Sequence, residues 1–155
     1  MTLTLVGLHT STEITADYLP IDRRTTTTRV VLRRVVPVAA GDHLDIDAWA
    51  RVTNETNPGY VVGVGWGLRA RRYEAGPDAP WVRISPSCGD NVDRQRHHMP
   101  LAISSVHAIP QDWPAGHRLT VALVADAHSS ASRPDDELIV DAGYGHLTVR
   151  QLRPA

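Results

Sequence analysis

The sequence predicts an all-β protein, an antiparallel β-sandwich of about eight to ten strands with a jelly-roll-like layout. Three segments carry most of the prediction, because apolar and polar residues alternate along each of them: residues 43–52, 118–125 and 146–152. Strict alternation is typical of strands that bury one face. No segment longer than a turn or two shows helical periodicity with caps, and glycine and proline interrupt the chain often. Short strands with frequent turn residues indicate a sandwich or barrel.

The remaining strands are predicted by short β-branched or alternating runs between turn residues. In chain order these candidates are 2–8, 12–17, 28–36, 60–72, 81–85, 101–109 and 137–142. The length of 155 residues suits one domain, 1–155, with an N-terminal segment 1–27 and a core sandwich 28–152.

Two stretches of the sequence share a similar residue pattern, which favours a sandwich made of two related halves. Residues 35–48 and 108–123 share an apolar strand end, a proline, an Ala-Gly pair, two polar residues and an alternating strand. Gly41 and Gly116 stand where a turn would require a positive φ, which glycine adopts without steric cost. Two similar strand–turn–strand units are what a jelly roll made of two Greek keys would contain.

Three glycines alternate within the strand candidate 60–72. Gly63, Gly65 and Gly67 share one bare face of that strand, so a backbone or a large side chain is expected to approach it closely. A nucleotide loop is excluded, because the spacing lacks the third glycine of the dinucleotide fingerprint and no helix follows.

Composition excludes several classes of partner. The formal net charge is −1, so no concentrated basic face is expected and nucleic acid is not a predicted partner. The single cysteine, Cys88, excludes an internal disulfide. No apolar run approaches the roughly 18 residues of a membrane span, and the first residues lack the features of a signal peptide. Cytoplasmic synthesis without a signal peptide and without membrane insertion is therefore expected.

The stretch CGDNVDRQRHHMP, residues 88–100, concentrates polar and titratable side chains. Adjacent histidines on an extended chain point to opposite faces, so they do not readily bind one metal ion. His-x-His, which a cupin-like metal enzyme requires, is absent from the sequence. We predict no catalytic residue, metal or cofactor, and interpret residues 86–100 as a structured loop that forms a contact surface. Its candidate binding residues are Asp90, Asn91, Asp93, Arg94, Arg96, His97 and His98.

A second acidic stretch lies at 126–137. Calcium could use Asp126, Asp135, Asp136 and Glu137, but the spacing is not that of an EF-hand. A solvated hairpin loop is the favoured interpretation.

Five stretches together resemble a family: VPVAAGDHLDIDAWARVTN, GVGWGLRA, CGDNVDRQRHHMPL, IPQDWPAGHRLTV and GYGHLTVRQL. They are similar to small β-sandwich proteins of actinobacteria and their phages, with a layout like that of the trimeric C1q/TNF-like jelly rolls. The resemblance covers roughly 30 to 152, its motifs are structural ones, and it implies no catalytic residues.

Two function classes remain open at this stage. The first is a non-enzymatic component of a virion or phage-derived particle, such as a capsid decoration, minor tail or receptor-binding protein, assembled with other virion proteins. The second is a carbohydrate-binding module or lectin that recognises a surface glycan with Trp49, Trp66, Trp81 or Trp113. A metal-dependent cupin-like enzyme is the third alternative. A homotrimer is expected, because tryptophan and arginine are enriched at interfaces and a closed ring buries sheet edges.

Overall fold

The computed structural model describes residues 1–24, 27–55, 61–93 and 98–155. Within them the chain forms strands and a single 3-10 turn, Tyr73–Ala75, and no α-helix. The ten strands are β1 Leu3–Ser11, β2 Tyr18–Asp22, β3 Arg29–Pro37, β4 His43–Thr53, β5 Val62–Arg72, β6 Val82–Arg83, β7 Cys88–Val92, β8 His98–Ala108, β9 Arg118–His128 and β10 Glu137–Pro154. The predicted all-β class is confirmed.

Two antiparallel layers make up the sandwich. The first sheet has the order β1–β10–β4–β8, and the second has the order β3–β9–β5, with β6 and β7 both on the far edge of β5. The short strand β2 joins the layers, since it pairs antiparallel with β10 and parallel with β9. From β3 to β5, and again from β8 to β10, consecutive strands alternate between the two sheets. This interleaving is jelly-roll-like, as predicted.

The core lies between the two sheets, and the alternation read from the sequence decides which residues enter it. Odd positions of β9 face inward, from Leu119 to Ala127, and even positions of β4 do the same, from Leu44 to Val52. On β10, Leu147 and Val149 are fully buried and Gln151 is nearly so. The inward faces predicted for 43–52, 118–125 and 146–152 are therefore correct.

Three predicted boundaries differ from the structure. Residues 12–17 form no strand: Ile14 packs on the core and Thr15 bonds to Val31, but no ladder follows. The candidates 137–142 and 146–152 are one strand, β10, whose register on β4 is interrupted between Val140 and Gly145. Residues 86–100 are not one loop, because 88–92 form β7 and 98–100 begin β8. The sequence pattern misses β7 because backbone pairing to β5 defines it and only Val92 is buried.

The predicted N-terminal segment is an integral part of the sandwich. β1 pairs with β10 from Leu3 to Ser11, and β2 links the sheets. The first of the two similar turns lies against the start of the second unit, since the Gly41 N–H donates to the Ile109 carbonyl at 3.2 Å and the Ile109 N–H to the Asp42 carbonyl at 2.7 Å. Gly41 and Gly116 have φ of 78° and 75°, as their turn positions predicted.

The glycine face of β5 is filled by side chains of the same molecule. A Cβ at Gly63 would lie 2.5 Å from Cε1 of His128, and one at Gly65 would lie 3.1 Å from Oδ1 of Asp126. This confirms the predicted close approach of large side chains. These glycines therefore do not form an open surface for a neighbouring chain.

Candidate functional site

The described members of the predicted contact loop are divided between the two sheets. Asp90 and Asn91 are exposed on β7 of the second sheet, and Asp93 follows that strand, half-buried. His98 begins β8 of the first sheet. The Asn91 N–H donates to Oδ1 of Asp90 at 2.8 Å, a local bond between a side chain and the backbone within β7. The other predicted members, Arg94, Arg96 and His97, lie outside the described residues.

His98 belongs to a hydrogen-bonded network that joins β4, β8 and β10. The Thr53 hydroxyl donates to Oδ2 of Asp141 at 2.7 Å, and the Thr53 oxygen lies 2.7 Å from Nδ1 of His98. A hydroxyl has one proton to donate, so Nδ1 of His98 is the donor in the second bond. Arg51 Nε donates to the same Asp141 oxygen at 2.5 Å. The network therefore fixes the start of β8 on the first sheet.

We expect Thr53→Ala to destabilise the junction of β4, β8 and β10. Thr53 is buried, and its removal would take away the acceptor of His98 and one donor to Asp141. Lost bonds of this kind typically lower the free energy of unfolding by about 1 to 2 kcal/mol. Urea unfolding measures the change, and Thr53→Ser, which keeps the hydroxyl, is the control. Equal losses in the two variants would contradict the hydrogen-bonding role.

The neighbouring residues form what we call the aromatic surface: Trp49, Arg51, Tyr144 and His146, on the outer face of the first sheet. Trp49 and His146 are cross-strand neighbours with ring centroids 5.8 Å apart in an edge-on arrangement. The guanidinium carbon of Arg51 lies 3.6 Å from the centroid of the Tyr144 ring, a cation–π geometry. Its hydrogen bond to Asp141 raises the pKa of Arg51, which stays charged.

Two of the four residues of the aromatic surface, Tyr144 and His146, lie at or just after the point where the pairing of β10 with β4 is interrupted. Gly143 has a φ of 77°, a conformation that glycine adopts most easily, and the chain turns there before Tyr144. Alternation along 43–52 places Trp49 and Arg51 on the same outer face, but Asp141 and Tyr144 were not predicted beside them. The available signal was DAGYG at 141–145, whose two glycines separate two strand candidates.

The other tryptophans have intramolecular roles. Trp66 and Trp113 pack against the core, and their indole N–H groups donate to the carbonyls of Ala102 at 3.0 Å and His117 at 3.2 Å. Trp81 carries the Arg71 guanidinium carbon 4.3 Å from its ring centroid. Of the four tryptophans predicted as platforms for glycan stacking, Trp49 is therefore the one that lies on the aromatic surface, where it is half-buried.

The acidic stretch 126–137 divides its carboxylates, since Asp135, Asp136 and Glu137 line one surface cavity and Asp126 lies outside it. Asp126 lies on β9 against Gly65, where burial raises the pKa of its carboxyl despite nearby His128 and Arg69. Oδ2 of Asp136 accepts the backbone N–H of Arg133 at 2.7 Å in the turn before β10. Within the described ranges, no three histidine, cysteine or acidic side chains are grouped as a metal site would require.

Among the described residues, no helix has the length and apolar character needed to cross a bilayer. Comparison of the chain with protein-family models and with curated proteins gives no match.

Proposed function

We propose that this chain is a non-enzymatic structural protein that works as a homo-oligomer in a virion or phage-derived particle. The observation that supports the proposal best is the aromatic surface, because Trp49, Tyr144 and Arg51 are of the residue types enriched at protein interfaces. Tyr144 is 48% exposed and projects from the outer face of the first sheet. The jelly-roll-like fold is compatible with a particle component but does not by itself select one.

The arrangement suits a contact with another protein surface. Arg51 is held between Asp141 and the Tyr144 ring, so little side-chain freedom would be lost when a partner covers it. Trp49 is similarly positioned by His146. A second copy of the chain is the proposed occupant, with three copies as the number predicted from the sequence, and other particle proteins contact the assembly elsewhere.

Trp49→Ala is expected to weaken the assembly. Removal of a central aromatic group commonly weakens an interface by 2 kcal/mol or more, which is about thirtyfold or more in the dissociation constant. Light scattering across a concentration series measures the change. Trp81→Ala is the matched control, since Trp81 is also half-buried beside an arginine but lies next to the second sheet. A wild-type mass of one chain throughout the series would refute the oligomer.

A carbohydrate-binding role is the second candidate, and the same residue favours it. Trp49 offers a ring face for stacking, with the polar groups of Asp47, Arg51 and Ser104 on the same face of the sheet. Titration of tryptophan fluorescence with a panel of neutral and acidic oligosaccharides tests it. A saturable change that Trp49→Ala abolishes would support glycan binding. In the genome, neighbouring capsid or tail genes would support the particle component, and neighbouring glycosidase genes the lectin.

A further inference from the structure

The first sheet ends in an edge strand, β1, that has one protective feature, the register shift on β10 between Leu5 and Gly7, but neither a charged side chain nor a covering strand among the described residues. β1 pairs with β10 on one side, and no described residue hydrogen-bonds to its backbone on the other side. The strand is nine residues long, LTLVGLHTS, and contains no proline and no aspartate, glutamate, lysine or arginine. Natural proteins usually shorten, charge or cover such an edge, because its free N–H and C=O groups can pair with another strand.

Apolar side chains line this edge on the outer face. Leu5 lies opposite Leu152 and Leu8 opposite Arg150, which places both leucines on the side away from the core. Leu5 is 56% exposed and Leu8 is 62% exposed. The register shift between Leu5 and Gly7 brings these two leucines, three positions apart, onto one face. The result is an exposed apolar stripe beside free backbone groups.

The opposite edge of the same sheet is covered by the chain itself. On β8, the Ala102 carbonyl accepts the Trp66 indole N–H, and the Ser105 hydroxyl donates to the Ile84 carbonyl at 3.0 Å. These bonds tie β8 to the second sheet. Trp66 thus closes one side of the sandwich, while β1 on the other side is left open among the described residues.

The edges of the second sheet are also protected. On β3, the carbonyls of Val30 and Val31 accept the Thr15 hydroxyl at 2.7 Å and the Thr15 N–H at 2.9 Å. The far edge of β5 carries only short strands, and β7 includes the exposed charge of Asp90. Each of these edges has a covering group, a charge or a short length, the devices that prevent strand addition.

We propose that β1 is a self-association strand, which pairs antiparallel with β1 of a second copy about a two-fold axis. The favoured register places Leu5 opposite Leu8 of the other copy, and Leu8 opposite its Leu5. Val6 then faces Gly7 of the second copy, which has no side chain of its own and lies beside the side chains of His9 and Gln151. This register joins both leucine stripes into one apolar cluster and joins the two first sheets into one continuous sheet.

A second copy is the occupant that the strand itself fits best. Identical strands with no formal charge can pair without like charges opposing each other, and an isologous contact needs only one self-complementary surface. His9, the one titratable side chain in β1, lies with its Nε2 3.2 Å from Oε1 of Gln151, within its own chain. The contact rests on the proposed function only in requiring self-association, since it does not use the aromatic surface.

The test is the double substitution Leu5→Lys/Leu8→Lys, which sets like charges against each other across the two-fold axis. Both positions are exposed in the single chain, so its thermal midpoint at low concentration is expected to change little. Light scattering at micromolar concentration is expected to show the wild-type mass halved, because the two-fold contact joins two rings of three chains and its loss separates them. Val106→Lys is the matched control. Val106 is 66% exposed and lies in the same row of paired residues across the sheet as Leu8, but it belongs to β8, the edge that is covered. Its mass is expected to equal that of the wild type.

Three results would overturn the inference: a one-chain wild-type mass, a mass unaffected by the double substitution, or an equal effect of Val106→Lys. The first would also refute the proposed oligomer. An assembly that Trp49→Ala dissociates and the double substitution leaves intact would overturn the β1 contact alone. Hydrogen exchange gives a second measurement. Slow exchange of β1 amides in the wild type should become fast in the double variant, with β8 unchanged.

Discussion

Asp42→Ala is expected to lower the free energy of unfolding by about 2 to 4 kcal/mol, the largest loss expected from any single substitution considered for this chain. Asp42 is fully buried, and its carboxylate binds three partners. Oδ2 accepts the Ala39 N–H at 2.8 Å and the Gln151 amide at 2.6 Å, and Arg153 contacts both oxygens, at 2.7 and 3.0 Å. Alanine would leave the buried Gln151 amide without this acceptor.

The pH dependence of stability provides an independent measure of the same site. Burial alone would raise the pKa of Asp42, but the bonds from Arg153, Ala39 and Gln151 outweigh it, so the pKa lies below the ordinary value of 3.8. A lowered folded-state pKa stabilises the fold above pH 3.8, and that contribution is lost as the pH falls through the folded pKa. The difference between wild type and Asp42→Asn should therefore be constant near neutrality and shrink below about pH 4.

Two exposed acids, Asp45 and Glu74, help to separate the contribution of the buried Asp42 carboxylate to stability from that of other carboxylates. Asp45→Ala removes an acid from an exposed ion pair, 3.4 Å from Arg150, and should change stability little, as surface pairs do. The pKa of Glu74 falls to about 2 through the backbone N–H and guanidinium of Arg118, but Glu74 is present in every variant and cancels in the difference. Urea unfolding from pH 2 to 7 makes the measurement. A loss in Asp42→Ala no larger than in Asp45→Ala would contradict this role.

How well the sequence predicts each strand depends on which side chains that strand buries. A strand such as β4 buries one face against the other sheet, so its apolar residues alternate and its position follows from the sequence. β7 is defined largely by backbone pairing, which any residue except proline can provide, and it has no clear pattern of its own, so the sequence predicts a loop there. β2 does bury Leu19 and Ile21 in alternation, but it is only five residues long and contains Pro20, so the sequence pattern does not predict a strand after the candidate 12–17.

The candidate site was predictable only one residue at a time. Alternation along 43–52 placed Trp49 outside the core, but nothing local indicated that Tyr144 would lie over Arg51, 93 positions earlier in the chain. That contact depends on the register between β4 and β10 and on its interruption before Gly145. Local composition can mark a polar stretch, as at 88–93, without indicating which sheet each residue joins.

Gly145→Ala is the second large expected effect, a loss of about 1 to 3 kcal/mol from overpacking. The added Cβ would lie 2.9 Å from Cδ1 of Ile14, 3.0 Å from the carbonyl oxygen of Trp49 and 3.4 Å from Cα of Ala50. Two of these three atoms belong to the backbone of β4. The methyl group would push β10 away from β4 at the point where their register resumes after the interruption.

Gly63→Ala is the informative control, because its nominal clash is closer, 2.5 Å from Cε1 of His128. That atom is the far end of an exposed side chain, which can rotate away, so Gly63→Ala should cost less than Gly145→Ala. Ile14→Val removes the Cδ1 atom of Ile14 but leaves the Trp49 carbonyl in place. In the double variant Ile14→Val/Gly145→Ala, the clash of the new methyl group should therefore be relieved only in part. Thermal and urea unfolding of the four variants give the coupling. If Gly63→Ala proves the more destabilising, or if Ile14→Val restores full stability, the β4 backbone is not what limits space at Gly145.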